Sequence, residues 1–364
     1  MKLLYDARYI LVEDRFDGVS RYSHELAWAL AAREGMEVTW LIHDLRQLDK
    51  LPKGEYLLAN NPTDFLRETF TLAHIINAAG HTIVYSPFFM MGSLGKRYKL
   101  VLTIHDLIYF HYHTPPQWFA WYVRLGWRLF HLSYWPLRWQ LNRADAVATV
   151  SDTARAELEA KQVTRRPITT VSNAVNADFA ANEPVMNDSS QEIIYTGAFT
   201  PYKNVECLID MMTHLPDMTL HLVSRIPAAR RRELERYIQS RDVSAQIALH
   251  DGVSEQELHE ILGRARCGIS ASRLEGFGLP VLESQAAGVP FVCADTPIFH
   301  EVGAKSVLYF DPDTPKQAAA QITKLANRAT YERYVRLGHE NIRRFSWSRS
   351  AEVAQTICEQ LQHR

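Results

Sequence analysis

The stretch CGISASRLEGFGLPVLESQAAGVP, residues 267–290, contains three local structures in succession. CGISAS is a short apolar and small-residue run, the pattern of a strand buried on both faces. PVLESQAA reads as a helix, with Pro280 in its first turn and Gly288 just past its end. SRLEGFGL joins them. Strand, glycine loop and helix in that order are half of a parallel βαβ unit, which places the chain in the α/β class.

The same pattern runs through the rest of the chain. Apolar, β-rich runs occur at 2–6, 37–42, 82–86, 100–106, 146–152 and 168–173, and again at 192–197, 219–224, 246–252, 267–272, 291–295 and 307–310. Most are followed by helical patterns; after Gly18, Tyr22, Leu26, Ala29 and Leu30 share one face. Between the two sets, residues 174–192 (AVNADFAANEPVMNDSSQE) are poor in large apolar groups and read as a linker. Two doubly wound domains facing a central cleft are the simplest architecture, with ligands at the carboxyl ends of the strands.

Composition narrows the function. The 364 residues are enough for two domains of about 150–200 residues. A net charge of -1 argues against a nucleic-acid partner, which would need a large basic face. The four cysteines, Cys207, Cys267, Cys293 and Cys358, form no CxxC pair and read as buried thiols. MKLLYDARYI meets Asp6 and Arg8 too early for a secretory signal, and no uncharged apolar run reaches the ~20 residues of a membrane span. A cytoplasmic location is the expectation. No His/Cys/Asp cluster has metal-ligand spacing, so no metal is expected. The first strand leads into DARYILVEDRFDG rather than GxGxxG, which disfavours a nicotinamide dehydrogenase.

The loop at 272–279 is suited to a phosphate ester. Gly276 and Gly278 let backbone come close to a ligand, and the N–H groups of the following helix offer an anion site. Glu283 in that helix suits the vicinal hydroxyls of a ribose, and Glu275 faces the other substituent of the same ligand. A nucleotide-sugar satisfies all three. Two bland or rival readings share the spacing: a glycine turn with two solvated glutamates, and a glycosidase acid/base pair.

SRLEGFGLPVLE (272–283) resembles the C-terminal signature of the retaining glycosyltransferases of family four, which have the GT-B fold, and within them the O-antigen mannosyltransferase branch. GVSRYSHEL (18–26), TIHDL (103–107), VSDTARAEL (150–158), VSNAV (171–175), TGAFTPYKNVECLI (196–209) and FSWSRSAEVA (345–354) resemble further landmarks in the family's order. The resemblance implies an acceptor-side domain over 1–175, a linker over 176–191 and a nucleotide-sugar domain over 192–344. Its last helix, 345–364, would pack back on the first domain. It implies catalytic roles for His105, Lys203 and Glu275: His105 and Glu275 on the donor sugar, Lys203 on the departing diphosphate. Donor binding would fall to Gly18, Arg21, Gly197, Lys203, Arg225, Glu275, Gly276, Phe277, Gly278, Leu279 and Glu283. Retention without a protein nucleophile implies front-face displacement.

The chain departs from the family where an arginine often stands: Ala198 and Tyr202 occupy those places, and Arg225 is the candidate substitute. The branch favours a GDP-sugar carrying mannose or rhamnose and a lipid-linked or oligosaccharide acceptor. A UDP-sugar transferase and an inactive glycan-binding relative remain open. Asp311-Pro312-Asp313 has the form of a metal-diphosphate DxD but reads as a turn into the helix near Thr314. Residues 115–144 interleave Trp118, Trp121, Trp127, Trp135 and Trp139 with Arg124, Arg128, Arg138 and Arg143 and hold no acid. They read either as a helix covering the sheet with snorkelling arginines or as a peripheral contact with an anionic membrane.

Overall fold

The computed structural model describes residues 1–13, 18–115, 120–175 and 188–363. The chain divides into two compact units, Met1–Asn173 with Ser346–Arg364, and Ala174–Phe345. Of the linker expected at 176–191, residues 176–187 lie outside the described residues, as does Trp118.

The first unit holds β1 (Lys2–Asp6), β2 (Glu37–Ile42), β3 (Tyr56–Leu58), β4 (Ile83–Ser86), β5 (Lys99–Ile104), β6 (Ala146–Thr149) and β7 (Ile168–Thr170). All pair in parallel, in the order β3-β2-β1-β4-β5-β6-β7. The second unit holds β8 (Glu192–Tyr195), β9 (Thr219–Leu222), β10 (Ile247–Leu249), β11 (Cys267–Ser270), β12 (Phe291–Ala294) and β13 (Val307–Phe310), ordered β10-β9-β8-β11-β12-β13. Strand order reverses beside β1 and beside β8. In sheets of this kind the crevice at the carboxyl end of the reversal is where ligands bind.

Every apolar run read from the sequence is a strand, but several stop early for a local reason. The run 146–152 ends at Thr149 because Ser151 turns to cap the helix Asp152–Ala160, its side chain accepting from Ala154 N. The strand β3 escaped the reading: it is a three-residue edge strand with Tyr56 and Leu58 exposed, so it carries no buried apolar run. The helix Gly18–Ala31 buries Tyr22, Leu26 and Leu30 as expected, but the fourth apolar contact is Ala27 and not Ala29. Its buried stripe is wider than one line of residues, taking in Ser20 and Ser23.

The helix Trp347–Gln362 buries Ser350, Ala351, Ala354, Ile357, Cys358 and Leu361. Small residues at this spacing let it lie close against the helix Gly18–Ala31, and Arg33 Nε donates to Gln355 at 2.9 Å. Ser350 Oγ donates to the Ser172 carbonyl at 2.6 Å, tying the end of the chain to the first unit.

Candidate functional site

Two loops leave the carboxyl ends of the adjacent strands β8 and β11, at the reversal point of the second sheet. The first, 196–204, ends in a turn at Pro201–Lys203 and a left-handed Asn204, whose Nδ2 donates to the Pro312 carbonyl at 2.8 Å. The second, 271–278, enters the helix Leu279–Ala286. Backbone joins them, since Arg273 N donates to the Tyr202 carbonyl at 2.9 Å. Lys203 Nζ and Glu275 Oε1 then meet at 2.6 Å.

Gly197 lies directly after β8. A Cβ there would stand 2.8 Å from the Tyr195 hydroxyl, which donates to the Ala198 carbonyl at 2.7 Å. The glycine is therefore required by its own neighbour's phenol. Its N–H donates to Ser224 Oγ at 3.0 Å. Burial first, then the charges of Glu275 and Tyr202, push the Tyr195 phenol well up, so it stays a donor. Gly278, at φ +94°, makes the left-handed entry to the helix that side chains resist, and a Cβ there would press on Phe299.

Gly276 and Leu279 are half-buried at the same bend, and Glu283 is buried within the helix, beside Pro280 and Ser284. Phe277 differs from the expectation. Its side chain is buried edge-on against Phe345 with ring centroids 5.6 Å apart, which leaves only its backbone to face a ligand. Arg225, after β9, is exposed and lies over Gly252; among the described residues its guanidinium makes no hydrogen bond or ion pair.

Some residues at this edge gave no sequence signal. Arg230 sits in the helix Ala228–Ser240, a segment rich in Arg and Glu. It folds back to donate to the Phe199 carbonyl at 3.1 Å, and it pairs with Glu206 at 2.5 Å. It braces the loop but is already neutralised. Arg273 pairs with Asp313 at 2.6 Å, and Asp311 accepts from Asp313 N and the Thr314 hydroxyl. Both carboxylates of the nominal DxD are thus committed to the turn. Among the described residues no three His, Cys, Asp or Glu side chains gather as a metal site.

In the first unit, His105 follows β5 and its Nε2 lies 2.9 Å from the Pro87 carbonyl, which follows β4. A carbonyl only accepts, so Nε2 carries the proton. The ring stands edge-on to Tyr22 at 4.9 Å. Asp106 accepts from Ile108 N at 2.9 Å, a local turn contact. Gly18 opens its helix with nothing within 4 Å of where a Cβ would be, and Arg21 is half-buried one turn on.

Residues 16–179 match the model of Glycosyltransferase Family 4, and residues 177–344 that of Glycosyl transferases group 1. The chain is a family-four type glycosyltransferase with the GT-B fold. This glycosyltransferase is 26% identical to O-antigen chain mannosyltransferase B of Escherichia coli, over 91% of its length and 92% of that protein's. It is 25% identical to O-antigen chain mannosyltransferase RfbU of Salmonella typhimurium, over 62% of its length and 60% of that protein's. The structure of sucrose-phosphate synthase from Thermosynechococcus elongatus superposes with a TM-score of 0.77 at 19% identity, covering 100% of the glycosyltransferase and 99% of that chain. No helix among the glycosyltransferase's described residues is long and apolar enough to cross a membrane.

Proposed function

We propose that the enzyme transfers a hexose, mannose or rhamnose, from a GDP-sugar to a lipid-linked glycan with retention of configuration. The observation that carries the donor site is the meeting of Lys203 and Glu275 at the β8/β11 crevice, beside the helix that starts at Leu279. A lysine and the positive end of the helix dipole suit a diphosphate. The carboxylate of Glu275 suits the sugar hydroxyls, and Glu283 the ribose. Similarity to O-antigen mannosyltransferases supports the sugar and the glycan class.

In this reading the acceptor hydroxyl attacks the anomeric carbon on the face that the diphosphate leaves. The carbon–oxygen bond to phosphate breaks, and the hydroxyl proton passes to a phosphate oxygen. His105 hydrogen-bonds the donor sugar. Lys203, with Arg225 in place of the absent loop arginine, neutralises the leaving group without a metal. The exposed apolar face of the helix Trp121–His131 makes peripheral contact with the inner, cytoplasmic face of a membrane, where a lipid-linked acceptor would lie.

Calorimetric titration of GDP, UDP and ADP into the wild type and Lys203→Ala tests the donor site. One nucleotide is expected to bind saturably, GDP, and to weaken at least tenfold in the variant. Tighter binding of UDP would replace the donor; no binding to folded protein would favour an inactive relative.

A further inference from the structure

The described part of the basic, aromatic region, residues 120–144, holds two helices with different fates. The helix Trp135–Asn142 covers the sheet, burying Leu137 and Leu141. The helix Trp121–His131 does not. Its apolar side chains Trp121, Leu125 and Leu129 are exposed, at 76%, 52% and 59%, and Leu132 and Trp135 continue the stripe at 70% and 69%. His131 alone is buried in it, its ring tilted against those of Trp127 and Phe110. An amphipathic helix held at one end with its apolar face outward suits an interface plane.

This stripe leads to an open groove of about 1120 Å³, lined by Trp135, Arg138, Trp139, Arg143, Arg165 and Arg166 and by no acidic residue. None of the four arginines pairs with a carboxylate among the described residues. Three are instead fixed by neutral oxygens. Arg138 donates through Nε to the Gln162 carbonyl and through Nη2 to that of Lys161, at 3.0 and 2.8 Å. Arg166 donates to the Asn142 carbonyl at 3.1 and 2.9 Å, and Arg143 to Ser93, its guanidinium 4.9 Å from the Trp139 ring. A guanidinium has five N–H donors, so these three are oriented yet keep donors to spare, and Arg165 makes no side-chain bond among the described residues. Oriented, unneutralised guanidiniums between two exposed indoles match phosphate on one side and the polar-apolar boundary of a bilayer on the other.

Asn142 and Arg143 precede β6, and Arg165 and Arg166 precede β7, so the groove lies toward the amino ends of these strands. His105 and Pro87 follow the carboxyl ends of β5 and β4. The groove is therefore separate from the transferase chemistry.

We infer that this arginine groove binds the headgroup phosphates of anionic phospholipids, and so makes the membrane contact charge-selective. The inference rests on the proposed peripheral contact, and the test separates the two. The intact protein is sedimented with vesicles of phosphatidylglycerol and phosphatidylcholine, or of phosphatidylcholine alone. The variants are Arg165→Glu with Arg166→Glu, the same pair changed to Lys, and Leu125→Asp with Leu129→Asp. Thermal melting confirms that each is folded.

Wild type is expected to favour the anionic vesicles. The Glu pair should lose roughly tenfold or more of that partition, at about 1 kcal/mol for each basic group near the surface. The Lys pair should keep most of it. A Glu pair that sediments like wild type while the Asp pair falls away overturns the groove and leaves the helix contact standing. Wild type that ignores both vesicles overturns both. Saturable binding of inorganic pyrophosphate, lost in the Glu pair with vesicle partition unchanged, would make this a soluble-anion site and overturn the lipid assignment.

Discussion

Lys203 Nζ lies 2.6 Å from Glu275 Oε1, with the two side chains only 14% and 12% exposed. The cation that the proposed function assigns to the diphosphate is held by the carboxylate that it assigns to the sugar. In the proposed donor site a nucleotide-sugar parts them and offers each a group of matching chemistry. On that proposal the contact costs affinity for a nucleoside diphosphate, which has no transferable hexose with which to satisfy Glu275.

Removing the charge from Glu275 should expose that cost. In Glu275→Gln, GDP is expected to bind several-fold more tightly, while transfer falls about a hundredfold for loss of the sugar contact. Calorimetry and a turnover assay on the same preparation decide it. Weaker GDP binding in Glu275→Gln would mean that the carboxylate supports the phosphate site.

Gly197→Ala sets a side-chain methyl against the Tyr195 hydroxyl at 2.8 Å, within a buried phenol's hydrogen bond. Overpacking of this kind costs about 1–3 kcal/mol. The clash has a named partner, so it should shrink in a Tyr195→Phe background. Denaturant unfolding of the two single variants and the double variant gives the coupling. Strict additivity would show that Gly197 matters through its backbone and not through Tyr195.

The fold was legible because parallel strands buried on both faces write long apolar runs, and helix punctuation such as Pro280 and Gly288 marks the ends. Tyr56–Leu58 was not, since an edge strand of three residues buries too little to leave a pattern. The Lys203 and Glu275 loops were legible as motifs, but their contact spans 72 residues and depends on the strand order. Phe277 could not be separated from its glycine neighbours by spacing, because only its partner Phe345 reveals that the ring belongs to the core. Arg230 was hidden by composition: in a helix rich in Arg and Glu, nothing marks the one side chain that turns inward.

His105 donates from Nε2 to the Pro87 carbonyl, which fixes the ring without burying it fully. His105→Ala should therefore fold. Transfer is expected to fall about a hundredfold, the scale of a lost positioned side chain, with GDP affinity within twofold of wild type. Loss of GDP binding would move His105 from sugar positioning to nucleotide recognition.

Acid should destabilise the protein in two separate windows. His43, His131, His221 and His339 are all held below the ordinary histidine value, in each case mainly by burial. A depressed folded pKa means that the unfolded chain takes up the proton first. The stability from these neutral rings is full above about 6.5 and declines as pH falls below it, until the folded values are passed. The carboxylates held low act later: Asp44, brought to about 2 by Arg46, and Asp313, lowered by Arg273, lose their contribution only below about 4. Thermal melting from pH 8 to pH 5 should show a falling midpoint before Asp44 and Asp313 lose their contribution. His221→Gln, which removes one of the four rings, should flatten the fall. A midpoint that holds or rises on acidification to pH 5 would mean that those histidines are solvated enough to charge in place.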